Sequence, residues 1–141
     1  MKRYFILTIV ILIAMVGNSL NSYAAVDADA LADYTLLGSG SVRIYNSGGI
    51  FCSDPGAAYH YAGIGVALFD NDDNQIDMNG EQEWESGGYY SIEGIQKEID
   101  SLQSGLVCYV YAVTIIRTYD SSYQVRYDIL EEDNSSTFTI L

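Results

Sequence analysis

Basic residues are scarce in this sequence. Six lysines and arginines accompany nineteen aspartates and glutamates, which gives a formal net charge of −13. A surface of that sign repels phosphate backbones and anionic lipid headgroups. The composition therefore argues against nucleic acid and bare membrane as partners, while acidity by itself predicts no particular ligand.

The residues that build most catalytic centres are also few. One histidine and two cysteines do not suffice for a typical zinc site, and the G-x-S-x-G pattern of a hydrolase nucleophile elbow is missing. His60 is expected at the surface or at a sheet edge. Glu81, Glu83 and Glu85 are expected to form a solvated acidic face, because a glycosidase needs a cleft that so short a chain has little room to build. No enzymatic activity is predicted.

A long apolar run occurs at the amino terminus. Lys2 and Arg3 precede it, it spans residues 4–16, and Ser22 and Ala24 then place small residues at the two positions that a signal peptidase recognises. A membrane-spanning helix would need about 20 apolar residues. We therefore predict a signal peptide at residues 1–24, cleaved after Ala24, and a secreted, extracellular product.

Export places the two cysteines in an oxidising compartment. An even pair of cysteines in a small secreted domain normally bonds. We therefore predict a disulfide between Cys52 and Cys108. A loop of that length would stabilise the fold by roughly 4 kcal/mol.

Alternating apolar residues indicate strands in most of the mature chain. Residues 25–37, small and acidic, are predicted to be a flexible leader, and residues 38–141 one folded domain. Residues 46–49, Asn-Ser-Gly-Gly, predict the turn of a hairpin. Residues 106–119 are apolar on both faces, as in a central strand. Residues 94–104 fit either a helix or a strand followed by a turn, and the strand is favoured.

This pattern defines the expected fold class. Seven or so short strands separated by turn signals predict an all-β chain, folded as a single immunoglobulin-like antiparallel β-sandwich. The predicted disulfide would then join the two sheets. The immunoglobulin hallmarks are absent, since Trp84 lies too far after Cys52 and Leu106 occupies the place of the corner tyrosine.

Three segments resemble a known protein family. They are GSVRIYNSGG, YAGIGVALFDNDDNQ and GLVCYVYAVT, in that order. They are similar to a G-S-x-x-x-I opening, an I-G-V strand before a hairpin, and a glycine followed by a V-x-A-V strand, which occur in a family of small secreted proteins of Gram-positive bacteria with a domain of unknown function. The matching residues are Gly40, Ser41, Ile44, Ile64, Gly65, Val66, Gly105, Val110, Ala112 and Val113.

The resemblance covers residues 38–127. Residues 102–105, Leu-Gln-Ser-Gly, are also similar to the turn between strands E and F of fibronectin type III domains. The likeness implies a β-sandwich and an exported location, and no activity. Cys52 and Cys108 are not part of the family pattern.

One loop resembles a calcium-binding template. Asp70, Asp72, Asn74 and Glu81 place oxygen ligands at positions 1, 3, 5 and 12 of such a loop, although Gln75 occupies the position that needs glycine. Aspartate and asparagine also favour turns for local reasons. A plain hairpin turn is therefore preferred, with no cofactor, and calcium is kept as the alternative.

Tyrosine is the more informative residue type. Tyr109, Tyr111 and Tyr119 share one face of the late strand, and Tyr123 and Tyr127 share a face of the next. If these faces coincide and are exposed, with Trp84 beside them, they form an aromatic surface for a sugar or a protein. If they are buried, they are ordinary cross-strand pairs.

These observations rank the possible functions. The first is a non-enzymatic extracellular module that binds a protein or a glycan through its strand faces. The alternatives are a calcium-stabilised structural or cell-surface domain and, third, a small secreted toxin or hydrolase.

Overall fold

The computed structural model describes residues 23–141, so the predicted signal peptide lies outside the described residues except for Tyr23 and Ala24. The described residues form eleven strands and no helix. No segment of this part of the chain therefore forms a helix that is long and apolar enough to span a membrane. The strands are β1 (Ala25–Ala28), β2 (Ala32–Gly38), β3 (Ser41–Asn46), β4 (Ile50–Ser53), β5 (Tyr59–Asp70), β6 (Gln75–Ser86), β7 (Tyr89–Ile92), β8 (Ile95–Ile99), β9 (Val107–Tyr119), β10 (Val125–Asn134) and β11 (Phe138–Thr139).

The longest strands form one five-stranded antiparallel sheet. Its order is β10-β9-β5-β6, and β11 pairs with the start of β9 beyond the end of β10. The strand predicted over residues 106–119 is confirmed as the central β9, paired with β5 on one side and β10 on the other. β9 is central because both of its faces are apolar, which suits a strand with a neighbour at each edge.

The six short strands form the second layer. They make two three-stranded sheets, β1-β4-β7 and β2-β3-β8, in which β1 runs on into β2, β3 into β4 and β7 into β8. The layer is thus three long strands, each broken at the same level. Strand β8 confirms the strand that was favoured within residues 94–104.

The break requires glycine. A Cβ atom on Gly48 would lie 2.0 Å from the carbonyl oxygen of Asp29, and one on Gly49 would lie 2.4 Å from that of Ile92. Residues 46–49 therefore do not form the predicted hairpin turn: β3 pairs with β2 and β8, whereas β4 pairs with β1 and β7. The glycines are there because neighbouring backbones approach each other closely at the break, and not because the chain reverses.

The two layers pack face to face around a core with two parts. One cluster joins β2, β3 and β8 to the five-stranded sheet around Ile44 and Leu68, and the other joins β1 and β4 to it around Ile50 and Ile116. In the immunoglobulin lettering, β1–β2, β3–β4 and β7–β8 take the places of strands A, B and E, and β6, β5, β9 and β10 those of C′, C, F and G. The two layers are then A-B-E and C′-C-F-G, as in immunoglobulin-like domains of the fibronectin type. The predicted antiparallel β-sandwich is confirmed.

The predicted flexible leader is wrong. Residues 25–37 contain β1 and most of β2, which form one edge of the second layer. Ala28, Ala30 and Ala32 are buried against the core. Their small side chains suggested a mobile segment, but alanine also fits where an edge strand lies close to the opposite sheet.

The predicted disulfide is also contradicted, since both cysteines are buried free thiols. Cys52 belongs to the same apolar cluster as Ile116, whereas Cys108 belongs to the other cluster. Ile116 and Cys108 lie on the same strand β9, eight residues apart, a separation of roughly 25 Å. A disulfide needs Cα atoms less than about 7 Å apart, so this sandwich keeps the two thiols too far from each other to bond.

Candidate functional site

The side of the five-stranded sheet that faces away from the second layer is here called the outer face. The register places Trp84, Tyr61, Arg117 and Asp128 in one row across it, on β6, β5, β9 and β10. Successive rows on the same face follow at every second residue of each strand. Within the described residues no other strand packs over this face, and Met78, Trp84 and Leu130 are each about half exposed (51%, 50% and 55%).

Five aromatic rings form a ridge across one end of the outer face. Trp84 contacts Tyr119 with ring centroids 5.0 Å apart, and Tyr61 with centroids 6.4 Å apart. Tyr59, the cross-strand partner of Tyr119, stacks on Tyr123 at 4.9 Å with nearly parallel planes. These five residues are called the aromatic ridge.

Tyr123 holds a strained position in the ridge. Its backbone has φ of +59°, in the left-handed region that glycine or asparagine adopts more easily. The turn that contains it begins at Asp120 and resembles the turn at Asp70. In each turn the aspartate side chain accepts hydrogen bonds from the backbone N–H groups two and four residues later. Tyr123 is 60% exposed, so its ring is presented to solvent at a cost in backbone strain.

A shallow apolar groove lies beside the ridge. It has a volume of about 520 Å³. Glycines form its floor and aliphatic side chains its flank, and we call it the glycine trough: Gly63, Gly65, Gly80, Val113, Ile115 and Leu130. A methyl group at Gly65 would make only an ordinary contact, 3.4 Å from a Val113 methyl, so the monomer does not require glycine there. A Cβ atom on Gly63 or Gly80 would meet its nearest neighbour more closely, at 3.1 and 3.3 Å.

A second aromatic group occupies the far end of the face. Phe69 stacks on Tyr109 at 5.4 Å and meets Tyr111 edge-on at 6.3 Å. The Tyr109 hydroxyl donates to Asp73 over 2.9 Å, and the Tyr111 hydroxyl donates to Glu132. Burial and the Glu132 carboxylate raise the pKa of Tyr111 to about 12, so it remains a neutral donor at physiological pH.

The outer face has few free charges for so acidic a molecule. The carboxylates at outward-facing positions of its strands are Asp128, 2.9 Å from Arg117 Nε, and Glu132, which accepts the Tyr111 hydrogen bond. Glu81, paired with the core-facing Ile64, borders the groove. The pair with Asp128 raises the pKa of Arg117, so both groups stay charged and matched. Glu83 lies on the opposite side of β6, where it contacts the buried His60.

The structure brings most of the predicted aromatic residues together. Tyr109, Tyr111, Tyr123 and Trp84 all lie on the outer face, and Tyr109 and Tyr111 are partly buried there. Tyr127 does not: a bulge between Val125 and Tyr127 pairs it with Thr118, a residue that faces the core.

Residues of β5 that were not predicted from the sequence complete the site. Tyr59, Tyr61 and Phe69 lie on this face with Gly63 and Gly65 between them. Even-numbered spacing puts all three on one face of a strand and could have identified them, but Gly63 and Gly65 between Tyr61 and Phe69 have no side chain to reveal the face.

The predicted calcium ligands are not assembled. The Asp70 carboxylate accepts hydrogen bonds from the backbone of Asp72 and Asn74 and from the Asn74 side chain. These hydrogen bonds, the Asn74 amide first, lower the pKa of Asp70. Glu81 lies mid-strand opposite Ile64, seven residues and roughly 20 Å beyond Asn74. The loop is a hairpin turn held by local hydrogen bonds, and residues 23–141 contain no cluster of three or more acids, histidines or cysteines placed to hold a metal.

His60 is buried, contrary to the prediction of a surface histidine. It is only 2% exposed, and its Nδ1 and Nε2 lie 2.9 Å from the Gly87 carbonyl oxygen and 2.8 Å from Glu83 Oε1. Through these two contacts the imidazole ring joins β5 to Glu83 on β6 and to Gly87 in the turn after β6.

Comparison with known proteins adds little to this description. No family model matches the chain, and no curated protein matches it. Among solved structures, a β-glucuronidase from glycoside hydrolase family 2 aligns with 84% of this chain and 11% of its own, at 14% identity and a TM-score of 0.40. The chain thus spans a small part of that protein, and a likeness at this level says nothing about activity.

Proposed function

We propose that this chain is an exported, non-enzymatic module that binds another macromolecule on the outer face of its five-stranded sheet. The observation on which the proposal depends is the continuous surface made by the aromatic ridge and the glycine trough, which is apolar and half exposed and whose outward-facing carboxylates, Asp128 and Glu132, are both paired. Surfaces of that kind in a soluble protein mark interaction sites.

The composition of this surface favours a protein as the ligand. Tryptophan, tyrosine, methionine and arginine are enriched at protein interfaces and acidic residues are depleted there. Trp84, Met78 and Arg117 all lie on the outer face, although acids greatly outnumber bases in the chain. The strain at Tyr123 supports the same proposal, because strained residues persist where their side chain has a role.

A glycan is the second candidate ligand. The exposed planes of Trp84 and of the Tyr59–Tyr123 stack offer flat apolar surfaces next to hydroxyl groups. Such surfaces suit sugar rings as well as protein side chains.

Binding experiments with matched variants test the proposal. Mature protein, residues 25–141, is screened on a glycan array and for binding to extracellular proteins and to itself, together with Trp84→Ala and Tyr123→Asn. The control is Phe51→Ala, because Phe51 is an exposed aromatic (56%) on the other layer. We expect binding that both outer-face variants reduce and the control retains. Binding that is insensitive to Trp84, or none of any kind, contradicts the proposal.

A further inference from the structure

We infer that the partner of the outer face is a second copy of this chain, an inference that rests on the proposed function. A two-fold dimer uses the same patch on both subunits, so the patch must be complementary to itself. The outer face meets this requirement, because it contains both a projecting element and a recess of matching chemistry.

The projecting element is the aromatic ridge and the recess is the glycine trough. They are adjacent along β5, with Tyr59 and Tyr61 in the ridge and Gly63 and Gly65 in the trough. A two-fold axis that lies in the interface plane and runs across the strands, at the level between Tyr61 and Gly63, places the ridge of each copy over the trough of the other. The missing side chains at the glycines then allow the Trp84 and Tyr61 rings to approach the partner's backbone closely.

The area of the face is sufficient for a dimer. Four strands side by side, with β5 twelve residues long, give a surface of roughly 750 Å² per copy. Stable interfaces bury about 800 Å² per partner. The area is thus in the range of a specific dimer.

The charge distribution also favours a like copy over a partner of opposite charge. The chain has a formal net charge of −13, yet on this face Asp128 is paired with Arg117 and Glu132 accepts a hydrogen bond from Tyr111. A cationic partner would find the outward-facing carboxylates, Asp128 and Glu132, already paired. Two copies would meet through neutral surfaces while their remaining surfaces repel each other, so added salt should strengthen the dimer by screening that repulsion.

Sedimentation equilibrium of the mature protein from about 1 µM to about 1 mM tests this inference. We expect a reversible monomer–dimer equilibrium whose association constant rises with sodium chloride. Trp84 is the sole tryptophan, so its emission should shift to the blue as the dimer forms. A monomer at every concentration overturns the inference, and so does association that salt weakens.

Variants locate the interface. Trp84→Ala should weaken the dimer by about 30-fold or more, as expected for a buried aromatic at an interface centre. Gly65→Ala fills the trough yet makes only an ordinary contact in the monomer, so it should weaken the dimer without loss of folding stability. Leu130→Lys, at a position 55% exposed in the monomer, should abolish it. The control Phe51→Ala should leave it unchanged.

The two proposals can fail separately. A dimer that persists in all three outer-face variants, or that Phe51→Ala disrupts, overturns the inference. A monomer that binds a glycan or a different protein through Trp84 overturns the inference but supports the proposed function. A Gly65→Ala variant that is folded by circular dichroism keeps the test decisive even if Leu130→Lys does not fold.

Discussion

Asp54 is a charged group buried completely within the sandwich. Its carboxylate accepts two hydrogen bonds from Arg126, at 2.9 and 3.0 Å, and one from Thr118 at 2.8 Å. Burial alone would raise its pKa, but the hydrogen bonds from Arg126 and Thr118 outweigh that effect, and the pKa is lowered. The buried carboxylate therefore joins the loop after β4 to β9, through Thr118, and to β10, through the partly exposed Arg126.

Replacing Asp54 should be strongly destabilising. We expect Asp54→Ala to lower the free energy of unfolding by about 2 kcal/mol or more, because it removes the charge-assisted hydrogen bonds from Arg126 and leaves the buried Thr118 hydroxyl without its partner. Urea unfolding at neutral pH measures the loss. The control is Glu98→Gln in the exposed Arg43–Glu98 pair, which should cost less than about 1 kcal/mol. Equal losses in the two variants would contradict the assignment.

The same carboxylate should make stability depend on pH. Its folded-state pKa lies below the value of about 3.9 for an unfolded aspartate. The ionised group therefore contributes its full stability above pH 4 or so, and the contribution is lost as the pH falls through the folded-state pKa. The difference in unfolding free energy between wild type and Asp54→Asn should shrink on acidification, and a difference that stays constant would exclude this role.

Tyr123 should be replaceable without loss of folding stability. Tyr123→Asn gives up the stack on Tyr59, an aromatic pair worth about 0.5–1.5 kcal/mol, but relieves a left-handed backbone strain of about 1 kcal/mol or more. We expect the unfolding free energy to change by less than about 1 kcal/mol, as measured by urea unfolding. A large destabilisation would show that the ring serves the fold and not a ligand.

At the scale of elements, the kink in the second layer depends on Asn46. This buried side chain accepts hydrogen bonds from the backbone of Leu31 and Gly48 and donates to the Gly65 carbonyl and to Thr114 Oγ1. It thereby satisfies groups that the broken strands leave unpaired. The same residue links the kinked layer to the middle of the five-stranded sheet.

Asn46→Ala should therefore lower the free energy of unfolding of the protein. Two backbone N–H groups and a buried hydroxyl lose their partner, and we expect a loss of about 3 kcal/mol. Asn79→Ala is the matched control, since the two hydrogen bonds of Asn79, to the Gln96 carbonyl and from the Gly80 backbone N–H, are exposed, and their loss should cost about 1 kcal/mol or less. Urea titrations of the two variants compare them directly, and an Asn46 variant as stable as the control would rule out this role for the side chain.

For the whole molecule, the separation of the two thiols predicts that folding stability does not depend on whether the solution is oxidising or reducing. Burial raises the pKa of Cys52 to about 11, and burial also raises that of Cys108, so both thiols stay protonated and inert. The folded protein should keep two free thiols that react with an alkylating reagent only in denaturant, and its melting temperature should not change with a reductant. Mass spectrometry after alkylation measures the thiol count, and a count of zero in denatured protein would show a disulfide instead.

The local sequence pattern was sufficient to predict a strand wherever its apolar residues follow one regular periodicity. The alternation of Ile64, Val66 and Leu68 defined β5, and the apolar residues on both faces of 106–119 defined β9. The turn at Asp70 also followed from composition, because its hydrogen bonds lie within five residues. The candidate site was found in part, since Tyr109, Tyr111, Tyr123 and Trp84 were identified before their neighbours on β5.

The sequence by itself determined the long central strands, the turn at Asp70 and the all-β class, because periodicity and turn chemistry are properties of neighbouring residues. Only the tertiary structure decided how the strands pair: it made residues 46–49 a kink, placed residues 25–37 in a sheet, separated Cys52 from Cys108 and turned Tyr127 away from the other tyrosines. The physical reason is that the pairing of strands distant in sequence depends on packing between whole faces, and a single bulge reverses the side to which a residue points.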